Sequence, residues 1–369
     1  MRGIDDIKAV VYHREDAEEE IVRRFISLPG RIILEVSEDC SEERAVQTLG
    51  KRGFASKEVV VLKRFRGRLF QPCPCSPRMV RCGYRVINNA FNCLFDCAYC
   101  FLNSYLNAYG IQQFVNYRDA LNELEIFMRE NPNQVLRVGS GEFTDSMMYD
   151  DLTGFAEECA SFCDRYRNIF IELKTKSSNV DHLPRASAGN MVFAWSLNTE
   201  RAIARYERGA ASLNARLNAA GRAAASGYCT AFHFDPIILE GNWRQEYRKI
   251  VDHLFSVVDS DTVAWISLGC FRYSPAYRES TRDMTAARFL VAAEMFPGMD
   301  GKYRYRQSER VEAYAEILNQ IKRHCDTFVY LCMETPAVWR LVFGREFQSD
   351  GELEHLFADH LREKFVRRK

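Results

Sequence analysis

No part of the chain approaches the roughly 18 consecutive apolar residues that a membrane-spanning helix needs. The opening MRGIDDIKAVVYHRED is charged throughout, unlike a secretory leader. Both absences lead to the expectation of a cytoplasmic protein with no membrane partner. Net charge is missing as well: 50 basic residues balance 50 acidic ones, so no global field draws in a polyanion. Thirteen cysteines in 369 residues are odd in number and belong to a chain too long for a disulfide scaffold, which favours a reducing compartment. Acidic residues are absent between Val59 and Phe95, where Lys63, Arg64, Arg66, Arg68, Arg78, Arg81 and Arg85 all fall. That cationic stretch suits phosphates, and equally suits a solvated face paired with the acidic run Glu15 to Glu20.

What is present is an ordinary globular composition, 47% hydrophobic and 27% charged, long enough for one large core with appended regions. Within it, Asn92 to Leu102 packs Cys93, Cys97 and Cys100 into a Cys-x3-Cys-x2-Cys array, the spacing of a ligand set. Structural zinc takes four ligands, and the nearest other cysteines, Cys73, Cys75 and Cys82, precede the array by eleven residues or more. A [4Fe-4S] cluster held by three thiolates instead keeps one iron free of protein ligand, open to a small molecule. A zinc-stabilised binding module is the alternative reading. Cys73, Cys75 and Cys82 form a second candidate metal group, short of a fourth ligand and of any nearby histidine. Cys159, Cys163, Cys229 and Cys325 sit in or beside apolar patterns and read as small buried hydrophobes.

Strands and helices alternate through the middle of the chain. Strands are predicted at Tyr84 to Ile87, Val135 to Gly139, Ile169 to Thr175, Met191 to Leu197, Tyr228 to Phe234 and Val263 to Gly269. Helical spacing between them, as in Tyr247, Ile250, Val251, Leu254, Phe255 and Val258, implies parallel strands with right-handed crossovers. The reactive groups of such folds gather at the C-terminal strand ends. There the chain places the cysteine array, Gly139-Ser140-Gly141-Glu142, Lys174-Thr175-Lys176, Ser196-Leu197-Asn198 and Asp235-Pro236-Ile237.

Residues 1–70 read as a small α/β region, with a helix through Val22 to Ile26, a strand at Arg31 to Val36, a helix to Leu49 capped by Asp39 with Glu42, and a strand at Glu58 to Phe65. Residues 71–270 form the main domain. Residues 271–369 are a C-terminal extension: an irregular basic stretch from Cys270 to Arg288, a basic hairpin around Lys302 to Arg306, a helix from about Ser308 to Arg323, a strand-like Thr327 to Met333, a helix Ala337 to Phe343, and a polar tail ending Arg367-Arg368-Lys369.

The array, with Tyr99 before its last cysteine, resembles the signature of the radical S-adenosylmethionine (radical SAM) superfamily. Thr144-Asp145, Asp151-Leu152-Thr153, Thr175-Lys176, Val180-Asp181-His182-Leu183, Ser196-Leu197-Asn198, Gly227-Tyr228, Pro236-Ile237 and Gly301-Lys302-Tyr303-Arg304-Tyr305 make the chain similar to the spore photoproduct lyase family. The resemblance implies a partial (β/α)6 barrel of the radical SAM type. It also implies a [4Fe-4S] cluster on Cys93, Cys97 and Cys100 that cleaves S-adenosylmethionine to a 5'-deoxyadenosyl radical, and an electron donor such as flavodoxin or ferredoxin. The substrate it implies is damaged or modified nucleic acid, held by the basic residues of 59–95 and 302–306; a peptide, nucleotide or small metabolite is the alternative. Phe101, Thr144, Lys176 and Ser196 are implied cofactor contacts, and the chemistry of Glu142 and Asn198 fits the cofactor's amino and ribose groups. Where the lyases carry a hydrogen-donating cysteine two residues before the matching Thr144, this chain has Glu142, which has no weak S–H bond to give. Cys332, Cys270, Tyr303 and Tyr305 are the candidates for that role.

Overall fold

The computed structural model describes all residues except 38–39, 107–108, 187–188, 348 and 367–369. Its larger sheet has eight strands: β1 (Phe70–Pro72), β2 (Arg85–Ile87), β3 (Leu136–Ser140), β4 (Ile169–Thr175), β5 (Met191–Ser196), β6 (Cys229–Ile237), β7 (Val263–Cys270) and β8 (Val329–Leu331). They lie side by side in chain order. β2 to β8 are parallel, and β1 pairs antiparallel with β2 at the edge. All six predicted strands are found, and the strand-like stretch near Thr327 supplies the seventh parallel member. Runs such as Met191–Ser196 and Val263–Cys270 are buried at every residue, as expected for parallel strands covered on both faces.

Helices α1 (Asp119–Glu130), α2 (Phe155–Arg165), α3 (Glu200–Tyr206), α4 (Leu213–Ala225) and α5 (Trp243–Val257) make the crossovers. Among the described residues of 176–190 there is no helix. That segment is rich in Ser, Asn, Pro and Gly, which favour turns over helix. Its backbone is used instead: the Ser177 carbonyl accepts from the Trp195 indole at 3.1 Å.

A second, five-stranded sheet runs in the order Ile32–Val36, Ala9–His13, Val59–Lys63, Ile111–Phe114, Ala90–Phe91. It therefore takes two strands from beyond residue 70, and the first-strand role falls to Ala9–His13, which the sequence reading left unassigned. One face, with Val10, Val60 and Leu62, joins the main core, while the other, with Val11 and Val61, packs on Ala45 and Leu49 of the helix Glu42–Lys51. That helix is capped by Ser41, whose side chain accepts from the Arg44 N–H; the expected cap, Asp39, lies outside the described residues.

The C-terminal region is more ordered than its composition suggested. The stretch expected to be irregular contains strand Arg272–Tyr273 and helices Pro275–Ser280 and Thr285–Val291. Arg272–Tyr273, Tyr303–Arg304 and Phe296–Pro297 form a three-stranded antiparallel sheet. Helix Gln307–Lys322 packs on α5, helix Pro336–Phe343 follows β8, and the tail forms a further helix, Asp350–Leu361.

Candidate active site

The C-terminal strand ends and the loops beyond them enclose a cavity of about 740 Å³. Cys93, Cys97 and Cys100 all line it. Their loop is pinned at both ends. Asn92 adopts a positive φ of 69°, its N–H donates to the Phe143 carbonyl at 2.8 Å, and its own carbonyl accepts from the Thr144 hydroxyl at 2.7 Å. Asp96–Cys97 forms a short antiparallel ladder with Glu207–Arg208, just after α3. The Ala98 N–H donates to the Tyr206 carbonyl at 2.7 Å, and Tyr99 reaches Glu207 through its hydroxyl. Glu207 in turn is paired with the fully buried Arg216, which also donates to the Ser196 carbonyl at 2.8 Å.

Burial raises the pKa values of the Cys93 and Cys97 thiols. Cys93 is pushed up to about 11, with the Lys57 ammonium working against burial; Cys97 is also pushed up, Lys176 opposing. Such thiols stay protonated unless a metal takes the proton's place. Among the described residues no three His, Cys, Asp or Glu side chains converge as the ligands of one ion do. Three thiols bordering one cavity would hold a polynuclear centre with each sulfur on a separate iron.

Of the predicted cofactor contacts, Phe101, Glu142, Thr144, Lys176 and Ser196 line the cavity. Phe101 is 43% exposed and meets the Tyr105 and Phe143 rings edge-on at 6.0 Å. The Lys176 ammonium lies 5.7 Å from the Tyr99 ring centroid, and its backbone N–H is held at 2.7 Å by Asp145. Asn198 does not reach the cavity lining: its side chain donates to the Pro236 carbonyl and accepts from Tyr247, a strand-end brace. Glu142 is paired with Lys174 at 3.0 Å. Among the candidate donors, Cys332 lines the cavity. Tyr303 stacks at 5.2 Å on Tyr273, which does line it, whereas Tyr305 is buried with its hydroxyl on the Leu239 N–H. Cys270 is buried and absent from the lining.

The floor of the cavity carries a polar network that the sequence reading missed. Glu172 accepts from Trp265 at 3.0 Å, is paired with His233 at 2.7 Å, and is bonded by Tyr84. Burial opposes its ionisation, but His233 holds it down to about 2. The signal was present as alternation: Glu172 and Lys174, and His233 and Asp235, are two apart on their strands and so share a face. Arg272 pairs with Asp235 at 3.1 Å, and Lys302 lines the same wall.

A sequentially wound half-barrel whose first strand–helix loop presents three cysteines at the C-terminal mouth defines a protein of the radical SAM type. A family model described as spore photoproduct lyase matches residues 82–289, over half of the chain, and the protein belongs to that family. Spore photoproduct lyase of Bacillus subtilis (strain 168) is 28% identical over 174 residues, 47% of this chain and 51% of that protein. The lyase of a Geobacillus species is 29% identical over 167 residues, 45% and 49% of the two chains. The match thus spans about half the length of these curated relatives. A solved spore photoproduct lyase variant with dinucleoside spore photoproduct superposes with a TM-score of 0.74 at 22% identity, covering 88% of this chain and 98% of that one. A variant with bound AdoMet and the same dinucleoside gives 0.70 at 20% identity, with 89% and 98% covered.

Proposed function

We propose that the protein is a radical SAM enzyme acting on a damaged or modified nucleic acid. The observation that carries this reading is the convergence of Cys93, Cys97, Cys100, Thr144, Lys176 and Ser196 on one cavity. Cys93, Cys97 and Cys100 would hold a [4Fe-4S] cluster, whose chemistry with S-adenosylmethionine, given an electron from flavodoxin or ferredoxin, is to supply a 5'-deoxyadenosyl radical. Lys176 brings a cation suited to a carboxylate or hydroxyl, Ser196 a hydroxyl at a strand end, and Phe101 and Phe143 an apolar wall. Arg81 and Lys302 bring to the cavity wall the positive charge a phosphodiester needs. Of the hydrogen-donor candidates, Cys332 lines the cavity and Tyr303 stands one ring behind it, stacked on Tyr273. Thirteen free cysteines fit a reducing compartment such as the cytoplasm; among the described residues no helix is long and apolar enough to cross a membrane.

A second reading keeps the radical chemistry and changes the substrate to a peptide, nucleotide or small metabolite. It is favoured by the Glu142–Lys174 pair, which occupies the position where the lyases carry a donor thiol. One experiment separates the two. The anaerobically reconstituted protein is incubated with S-adenosylmethionine, dithionite and ultraviolet-irradiated DNA, and both 5'-deoxyadenosine and lesion are followed. Loss of lesion with cofactor cleavage, both abolished in Cys97→Ala, is expected. Cleavage with the lesion untouched would overturn the nucleic-acid substrate, and no cleavage at all would overturn the radical assignment.

A further inference from the structure

Four cysteines line the cavity outside the Cys93 loop: Cys73, Cys75, Cys82 and Cys332. The first three stood out in the sequence but lacked a fourth ligand. The fold supplies it from the far end of the chain. β1 and β8 are the two edges of the sheet, and the segment after β1 bridges to the segment after β8. The Val80 N–H donates to the Glu334 carbonyl at 2.9 Å, the Ser76 N–H meets the Met333 sulfur at 3.5 Å, and the Cys75 sulfur lies 3.5 Å from that same thioether. Cys73 is fixed by its N–H on the Tyr84 carbonyl at 2.9 Å, and the Cys75 N–H turns back onto the Cys73 carbonyl at 2.7 Å. Cys332 is fixed by its N–H on the Leu268 carbonyl at 2.8 Å. All four cysteines therefore border one cavity, beside the seam where the segments that follow the two edge strands bridge.

We infer that Cys73, Cys75, Cys82 and Cys332 hold a second iron–sulfur cluster at this seam, fully ligated by protein. Burial alone does not account for the residue choice. Cys159, Cys163 and Cys229 are buried within the apolar core, as small hydrophobes are, whereas Cys73, Cys75 and Cys82 are only partly buried and face the cavity. The surroundings suit an anionic thiolate centre. Arg272 approaches the Cys332 sulfur at 3.7 Å, and Arg81 and Lys302 line the same wall. As with the Cys93 loop, the sulfurs do not converge on one point among the described residues. A fully ligated cluster takes one thiolate per iron corner, which four cysteines supply; a single tetrahedral zinc is the competing occupant, and metal content separates the two. Met333 is held at a positive φ of 59°, a conformation uncommon for a residue with a side chain, directly beside Cys332. The assignment makes Cys332 a ligand, and Cys332 is the one hydrogen-donor candidate that lines the cavity; Tyr303 stands behind Tyr273.

The test removes one centre at a time in the full chain. Cys93→Ala/Cys97→Ala/Cys100→Ala, reconstituted anaerobically, is expected to retain about two to four irons and matching sulfide per chain, with visible absorbance that dithionite bleaches. Adding Cys73→Ala and Cys75→Ala should remove both, while Cys159→Ala in the triple variant should leave them unchanged. A folded triple variant free of iron, or one carrying a single zinc, would overturn the inference. Should the triple variant fail to fold, the wild type decides: iron per chain should drop by about half in Cys73→Ala/Cys75→Ala, and an unchanged iron content would refute a second cluster. Because the triple variant has no Cys93 centre, this outcome is independent of whether the proposed radical chemistry holds.

Discussion

His360, on the last helix, sits against the Phe328 ring at 5.3 Å with its Nε2 3.1 Å from the Ala264 carbonyl. Burial lowers its pKa to about 4, with the Ala264 carbonyl opposing. The folded chain therefore holds it neutral at pH values where the unfolded chain, titrating near 6.5, takes up a proton. Its contribution is present above about pH 6.5 and is lost as pH falls toward 4, by about 3 kcal/mol. His360→Leu should flatten the loss of stability over that window, measured by urea unfolding at pH 7 and pH 4.5; a parallel loss in both proteins would refute the role. At this scale the sequence was most informative where chemistry demands a spacing. The cysteine array, Lys176 and Ser196 all reach the cavity because they follow strands whose ends define its mouth. Asn198 lies outside it because its amide is consumed by Pro236 and Tyr247, neighbours that only the fold brings close.

Among the elements, the parallel strands were legible because burial on both faces leaves uninterrupted apolar runs. The edge pieces were not. Ala9–His13 is short and flanked by charge, and Asp350–Leu361 lies in a sequence rich in acidic residues and histidine, so its apolar stripe of Leu353, Phe357 and Leu361 was hidden. The two-residue ladder between Asp96–Cys97 and Glu207–Arg208 has no sequence signal at all. Its security rests on the Glu207–Arg216 pair, with both side chains at most 1% exposed. Removing one partner of a buried pair leaves an uncompensated charge, at a cost of about 3–5 kcal/mol. Glu207→Ala should show that loss in urea unfolding of the apo chain. It should also lower the iron retained by the Cys93 loop, since Cys97 loses its ladder partner's anchor and Tyr99 its acceptor. Full iron retention at wild-type stability would show that the loop is held by other contacts.

For the whole molecule, balanced charge means that any grip on a polyanion must come from local arrangement. The cationic run Val59 to Phe95 is partly spent within the fold. Lys63 pairs with Glu42 at 2.9 Å, Arg64 pairs with Asp16 and Glu19, and the Arg85 guanidinium lies 4.2 Å from the Phe127 ring centroid. The acidic N-terminal segment thus neutralises part of it, as the charge pattern allowed. Lys302 is placed differently. It lines the cavity, and burial, then the Arg272 charge, lowers its pKa. A phosphate beside it would relieve that repulsion. If the substrate is a nucleic acid, log affinity should fall linearly with log salt, and each phosphate neutralised by a cation contributes about 0.9 to the slope on a duplex and about 0.7 on a single strand. Lys302→Ala should therefore reduce the slope by nearly one, while Lys63→Ala, whose charge is already answered by Glu42, should leave it unchanged. Fluorescence anisotropy of a labelled irradiated oligonucleotide from 50 to about 200 mM salt measures both. Equal slopes for wild type and Lys302→Ala would place the phosphates elsewhere, and a salt-independent wild type would remove nucleic acid as the ligand.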